Sequence, residues 1–355
     1  MEKLFLHCDM NNYFASVECI YDKSLKTVPM AVCGDPAIRH GIVLAKNDLA
    51  KKYGIMTGES IYSAKQKYPM LKIINANYER YLHYTKLARV LYNEYSDEVV
   101  PYGLDEAWII INTNSYETAE NTADEIRQRI KSEFNLSASV GVSYNYIFSK
   151  LASDMRKPDK TTVLKKEDLK TKIWNTPAFE MLFVGAATRK KLRSMNILTI
   201  GDIACADVDR LRKSLGKPGV NLWQYANGDD SSFNPKVPKD DPFKSFGNTI
   251  TMPKDLSNRT DILSMLNVLS KTVSARLIKH SKKAKCISIF LKYNDFDIVN
   301  RQTTITTPTN NKETIYKTVQ MLFEKHYINN KPIRSIGVHV SNLSHSKYCQ
   351  LSLFE

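Results

Sequence analysis

Short apolar runs and helical patterns alternate along the first 155 residues of the chain. Residues 3–9 form a nearly continuous apolar run, which is typical of a buried strand. Apolar residues recur every three positions within residues 12–21, which predicts an amphipathic helix. The pattern then predicts helices at 47–53, 60–67, 78–98, 118–133 and 146–155, a strand on each side of Asp105 and Glu106, and a strand at 137–143.

The order strand, helix, hairpin, helix, strand is that of a split βαβ sheet with helices on one face. In such a sheet the end of the first strand lies beside the central hairpin. We therefore expect Asp9, which ends the first apolar run, to lie close to Asp105 and Glu106.

The rest of the chain divides into further segments. Residues 171–233 read as short helices separated by glycine turns, and residues 234–242 are rich in Pro, Lys and Asp, as in a linker. Strands are predicted at 246–251, 286–293 and 333–341, with helices at 259–280 and 312–326. Because 355 residues are too many for one compact core, we expect an α+β protein of several domains.

Positive charge is concentrated in one of these segments. Residues 243–343 contain sixteen Lys and Arg against six Asp and Glu, and so carry +10 of the net charge of +14. A basic segment of domain size favours a polyanionic partner such as nucleic acid over a merely solubilising surface.

Composition excludes other classes. We find no apolar stretch near the roughly 20 residues of a membrane helix and no secretory signal. The six cysteines form no C-x-x-C pair, which argues against zinc and dithiol sites. We expect a cytoplasmic monomer that does not enter a membrane.

The three carboxylates suggest metal chemistry. Mg²⁺ prefers hard oxygen ligands, and paired Mg²⁺ ions roughly 3.5–4 Å apart serve phosphoryl-transfer enzymes. Taken alone, an Asp at a strand end or an Asp-Glu pair at a hairpin is more often a cap or a turn residue.

Four longer motifs strengthen the hypothesis of a metal site. They are CDMNNYFASVE at 8–18, YGLDEAW at 102–108, SVGVSYNYIFSKLASDMRKP at 139–158 and KSFGNTITMPKDL at 244–256. With them the chain resembles, over almost its whole length, the Y-family of translesion DNA polymerases, and in particular its bacterial polymerase IV-like (ImpB/MucB/SamB type) members. The resemblance implies a right-hand polymerase with a ferredoxin-like palm, small fingers, a helical thumb and a basic α/β little finger. The expected bounds are 1–22 and 75–170 for the palm, 23–74 for the fingers, 171–233 for the thumb, 234–242 for a linker, 243–343 for the little finger and 344–355 for a tail.

The resemblance also implies roles for single residues. Asp9 and Asp105 match metal ligands, Glu106 matches the catalytic carboxylate that shares the metals, and the carbonyl of Met10 matches a backbone ligand. Two Mg²⁺ ions would serve transfer of a nucleotide from a dNTP to the primer 3′-OH, with release of pyrophosphate.

The nucleotide site is expected around the first helix. Phe14 matches the steric gate against a 2′-OH, although its spacing also suits a core position. Asn12 and Tyr13 would lie near the triphosphate, and Lys157 matches a phosphate contact. Lys51 matches a position that is often Arg.

The chain departs from the family pattern beside this site. Ala45 and Asp48 stand where polymerase IV-like members often have Thr and Tyr, so two hydroxyl contacts are lost. Lys46 and Asn47 are the candidates to replace them.

DNA contacts are expected in the thumb and the little finger. In the thumb a G-x-G hairpin normally holds a phosphate. Here only Gly185 remains, because Phe183 replaces the first glycine. Arg189 and Lys190 follow and could compensate, and Lys244 opens the basic domain.

The last motif is a short peptide near the end of the printed sequence. Gln350, Leu351, Leu353 and Phe354 resemble the pentapeptide by which bacterial polymerases bind the sliding clamp, the β subunit. The alternative is a terminal strand that packs on its own domain.

The resemblance implies template-directed DNA synthesis past damaged bases, with primer-template DNA and dNTPs as partners. Two alternatives stay open: a catalytically weak scaffold bound to the clamp, and a nucleotidyl cyclase with a similar palm. A cyclase would need neither the basic domain nor the clamp peptide.

Overall fold

A computed structural model describes residues 3–35, 41–235, 243–328 and 331–345. Residues 3–34 and 42–235 form one compact unit, and residues 243–328 and 331–345 belong to a second. The proposed clamp peptide at 350–354 and most of the predicted linker lie outside the described residues.

The first unit alternates strands and helices largely as the pattern predicts. The helix predicted at 78–98 is too long, because the chain enters a strand at Glu98, where Val99, Val100 and Pro101 favour extended backbone. Its regular elements are β1 (Leu4–Met10), α1 (Tyr13–Tyr21), β2 (Met30–Cys33), β3 (Val43–Lys46), α2 (Asp48–Lys52), α3 (Ile61–Lys67), β4 (Lys72–Asn75), α4 (Tyr78–Asn93), β5 (Glu98–Tyr102), β6 (Glu106–Ile111), α5 (Tyr116–Phe134), β7 (Ala138–Ser143), α6 (Tyr146–Met155), β8 (Thr161–Val163), α7 (Ala186–Ser194), α8 (Ile200–Cys205), α9 (Val208–Leu215) and α10 (Lys217–Ala226).

A five-stranded sheet in the order β5-β6-β1-β7-β8 organises this unit. Strand β1 is central and runs antiparallel to both β6 and β7. The register places Asp9 directly opposite Glu106. The predicted proximity of the first strand's end to the central hairpin is therefore confirmed.

The two faces of the sheet carry different helices. Side chains such as Leu6 and Val142 pack with α1, α4 and α5 in one core. Helix α6, which follows the last strand of the predicted order, packs on the other face, whereas α1, α4 and α5 share one face as predicted. The approach is close because Gly141 has no side chain: a Cβ there would lie 2.0 Å from the Ser149 carbonyl oxygen of α6.

A smaller sheet in the order β3-β2-β4 follows β1 and α1 along the chain. It packs with α3 around a core that includes Val43, Ile55 and Ala64. Asn47 caps α2, since its side-chain oxygen accepts from the amide of Ala50 at 2.9 Å. This segment brings the end of β3 to the main sheet's acidic edge.

The segment after residue 164 is helical, as predicted, and its hairpin is anchored by aromatic rings. Phe183 has a left-handed backbone (φ 73°), where glycine is favoured. Its ring lies 5.5 Å from that of Phe233 and 6.0 Å from that of Tyr225. Phe233 in turn packs against Trp108 of β6.

The second unit is a four-stranded antiparallel sheet in the order β11-β10-β12-β9, with two helices packed against it. The pattern predicts five of the six regular elements described in this unit and misses β11. This edge strand is mostly exposed and polar, so its sequence lacks the alternation of apolar and polar residues that predicts a strand. The elements are β9 (Ser245–Leu256), α11 (Arg259–Lys279), β10 (Lys282–Tyr293), β11 (Ile298–Thr309), α12 (Lys312–His326) and β12 (Ile333–His345). In the described part of the chain, every helix is too short or too polar to cross a membrane.

Candidate active site

Three carboxylates converge at one end of the five-stranded sheet. Asp9 is buried near the end of β1, and Glu106 opens β6 directly across from it. Asp105 precedes β6, and its carbonyl accepts from the amide of Met10 at 3.1 Å. The structure therefore brings together the metal-binding residues predicted from the sequence.

Two lysines neutralise part of this negative charge. Lys150 Nζ lies 2.9 Å from Asp9 Oδ2, 3.1 Å from Glu106 Oε2 and 3.2 Å from Asp154 Oδ2. Lys157 Nζ lies 2.7 Å from Asp9 Oδ2 and 2.7 Å from Asp154 Oδ1. Sequence reasoning singled out Lys157 but missed Lys150, whose signal was its helical spacing to Asp154.

Sequence reasoning also missed His7, which points to the same face as Asp9 because strand side chains alternate. The side chain is fully buried, and its Nδ1 lies 2.9 Å from Ser153 Oγ. The Ser153 hydroxyl donates to the Lys150 carbonyl at 2.7 Å, so Nδ1 carries the ring proton toward it. Burial, with Lys150 second, lowers the pKa of His7 to about 3 and keeps the ring neutral.

This tautomer directs the lone pair of His7 Nε2 at Glu106 Oε2, 3.1 Å away, so the buried Nε2 has no hydrogen bond and the oxygen has only the nearby Lys150 ammonium. Potential ligand atoms of His7, Asp9 and Glu106 lie within 4.8 Å of one another. Burial, followed by the charges of Asp9 and Glu106, raises the pKa of Asp105 to about 6. Acceptors and like charges gathered in this way fit a divalent cation, and the oxygen-rich donor set suits Mg²⁺.

A cavity of about 390 Å³ opens over the carboxylates. Four carboxylates and three lysines share its wall, so the side chains alone leave a net charge of −1. Its lining residues are Asp9, Met10, Asn12, Tyr13, Leu44, Ala45, Lys46, Thr57, Asp105, Glu106, Lys150, Asp154 and Lys157.

The predicted nucleotide residues are divided between this cavity and its surroundings. Asn12 and Tyr13 line the cavity, and the Tyr13 hydroxyl donates to the Tyr81 carbonyl at 2.6 Å. The ring of Phe14 stacks on that of Tyr81, with centroids 4.1 Å apart, and is not among the lining residues.

Lys51 does not line the cavity either. Its ammonium pairs with Asp48 Oδ1 at 2.9 Å, and the same oxygen accepts from the Asn12 amide at 3.1 Å. Lys51 thus pairs with Asp48, which lies one helical turn before it, and its contact with the nucleotide stays a prediction.

The predicted DNA contacts lie elsewhere on the surface. Gly185 precedes α7 at its N-terminal cap, and the Arg189 guanidinium lies 4.0 Å from the ring centre of Phe179. Lys190 is exposed in the first unit, and Lys244 is exposed in the second.

Comparisons with known proteins agree with this geometry. The model of the impB/mucB/samB family matches residues 8–154, the C-terminal domain of that family matches 243–353, and the thumb domain of DNA polymerase-iota matches 183–230. A DNA polymerase IV of Acetivibrio thermocellus is 43% identical over 100% of this chain and 90% of its own length. A DNA polymerase IV 1 of Bacillus subtilis is 34% identical over 99% of this chain and 85% of its own length.

Solved structures show the same fold. A Y-family DNA polymerase chimera, Dbh-Dpo4-Dbh, aligns with a TM-score of 0.84 at 22% identity, over 96% of this chain and 98% of its own. An insertion ternary complex of Dbh DNA polymerase aligns with a TM-score of 0.68 at 21% identity, over the same shares of the two chains. On its sequence motifs, its acidic site and these relatives, the chain belongs to the impB/mucB/samB family and has the fold of a Y-family DNA polymerase.

Proposed function

We propose that this chain is a DNA-directed DNA polymerase that copies template strands across damaged bases. The observation that carries the proposal is the convergence of Asp9, Asp105 and Glu106 in one cavity with lysines that can meet a triphosphate. Relatives named DNA polymerase IV match along almost the whole chain, which supports the same activity here.

Asp9, Asp105, Glu106 and the carbonyl of Met10 would hold two Mg²⁺ ions. When bound, the ions would supply charge neutralisation and alignment for in-line attack of the primer 3′-oxygen on the α-phosphate, with pyrophosphate leaving. The chain contributes position more than covalent chemistry, because Asp9 and Glu106 lie on paired strands and Asp105 lies in the short turn that joins β5 to β6.

The surrounding side chains would complete the nucleotide site. Lys157 and Lys150 both pair with the carboxylate of Asp9, and the ammonium of Lys157 can bind a phosphate as a point charge. Asn12 and Tyr13 form the wall beside the triphosphate. Phe14, braced by its stack on Tyr81, would exclude a 2′-OH from the sugar site.

The remaining parts would hold DNA. We propose the palm, fingers, thumb and little-finger bounds expected from the sequence. Gly185, Arg189 and Lys190 would contact the backbone from the thumb, and Lys244 from the basic domain. Such phosphate contacts are blind to sequence and weaken as salt rises.

Gln350, Leu351, Leu353 and Phe354 would bind the sliding clamp as an extended peptide, with the apolar side chains in a pocket. With DNA and nucleotides as substrates, the protein would act in the cytoplasm. The basic second domain and the intact carboxylates favour this function over a cyclase or an inactive scaffold.

The test is primer extension with four dNTPs and Mg²⁺ on an undamaged template and on one carrying a single damaged base. We expect the protein to extend both primers, and Asp105→Ala to extend neither. Failure on both templates would overturn the proposed polymerase activity. Success on the undamaged template alone would overturn only the bypass of damage.

A further inference from the structure

Lys46 brings an unmatched positive charge to the wall of the catalytic cavity. It ends β3, lines the cavity together with the carboxylates, and is half-buried. Its ammonium donates to the hydroxyl of Thr57 at 3.1 Å, and Thr57 lines the same cavity. The hydroxyl fixes the position of the ammonium but does not neutralise it.

The other lysines near the cavity are already paired with acids. Lys150 and Lys157 hold Asp9, and Lys51 holds Asp48. Within the described residues, no carboxylate lies at ion-pair distance from Lys46. Glu59, whose charge acts on Lys46, is itself paired with Lys67 at 2.7 Å.

The two residues next to Lys46 in the chain have no free polar side-chain group to offer a ligand. Ala45 has no polar side-chain group. The side chain of Asn47 already makes four hydrogen bonds to the backbone. Its oxygen accepts from the amides of Met30 and Ala50, and its amide donates to the carbonyls of Leu25 and Val28. Of the two candidates for the lost hydroxyl contacts, only Lys46 is therefore available to a ligand.

We propose that Lys46, positioned by Thr57, binds the β- and γ-phosphates of the incoming dNTP. The inference rests on the proposed polymerase function, in which the α-phosphate reacts at the carboxylates and the other two phosphates need a cation of their own. A lysine suits this contact because its ammonium is a compact point charge. Burial, with Lys51 second, lowers the pKa of Lys46, and an arriving phosphate would relieve that cost.

The test compares Lys46→Gln with the unaltered protein in single-nucleotide insertion and in titration of a non-hydrolysable dNTP into the primer-template complex. We expect KM and the Kd of the analogue to rise about tenfold, the loss of one charge-assisted contact. We expect kcat and the Kd of the DNA to change little, and Lys46→Arg to recover most of the affinity.

Lys52→Gln is the matched control, since it removes the same charge from the same segment. Because Lys52 is exposed and does not line the cavity, the analogue's Kd should stay within about twofold of the unaltered value. An unchanged Kd in Lys46→Gln, or equal losses in the two variants, would overturn the inference. If the unaltered protein fails to extend primers, the polymerase proposal fails, while the titration still decides whether Lys46 binds a triphosphate.

Discussion

Replacing Lys150 with methionine should destabilise the catalytic unit strongly. The side chain of Lys150 is only 12% exposed and lies within 3.2 Å of three carboxylates, one of which belongs to the buried Asp9. Methionine keeps the length and apolar stem of the side chain but removes the charge. Breaking a buried ion pair from one side costs about 3–5 kcal/mol, because the remaining charge stays buried.

The lower figure of about 3 kcal/mol corresponds to a fall of about 6–12 °C in Tm for a domain of this size. The neighbouring carboxylates raise the pKa of Lys150 above its usual value, despite opposing burial. The stabilisation from this lysine is therefore fully present below the unfolded-state pKa and is lost only as pH rises through the higher folded-state pKa. The difference between the two proteins should thus be constant between about pH 7 and pH 9.

The assay is thermal and urea unfolding in EDTA, repeated with added Mg²⁺. Mg²⁺ should stabilise Lys150→Met more than the unaltered protein, because the ion no longer competes with the ammonium for Asp9. Lys157→Met is the control; its side chain is 35% exposed, so solvent screens its pairs and the loss should be smaller. A loss below about 1 kcal/mol, or equal losses in both variants, would refute the reasoning.

Three further predictions concern other parts of the chain. Phe14→Ala should raise kcat/KM for ribonucleotides relative to deoxyribonucleotides in single-nucleotide insertion, and an unchanged ratio would remove Phe14 as the gate. Phe183→Gly should have a free energy of unfolding about 1 kcal/mol higher than that of Phe183→Ala, because both variants lose the packing on Tyr225 and Phe233 but only glycine relieves the positive φ. A more stable alanine variant would contradict this. Phe354→Ala should shorten extension products only when the sliding clamp is present, and equal shortening without the clamp would argue against a clamp peptide.

The position of the carboxylates could be predicted from the sequence because it depends on element order and strand alternation. An apolar run that ends in Asp9, and a hairpin that carries Asp105 and Glu106, suffice once β1 is taken as central. The same alternation could have revealed His7, which lies two residues before Asp9 on the same face.

Other features depend on contacts that periodicity does not encode. The crossing of α6 onto the second face follows from Gly141, whose missing side chain admits the helix. The different surroundings of Lys51 and Lys46 follow from Asp48 and Thr57, each of which contacts one ammonium. Only the spacing of Asp48 and Lys51 was visible beforehand, as a pair three residues apart on a predicted helix.

The most direct test of the central claim is the single-turnover rate of nucleotide insertion by Asp105→Ala on bound primer-template in Mg²⁺. We predict a loss of more than about 100-fold against the unaltered protein, with the Kd for DNA unchanged, because the substitution removes a proposed metal ligand and none of the proposed DNA contacts. Insertion by Asp105→Ala at the unaltered rate would contradict the assignment of these carboxylates as the catalytic metal site.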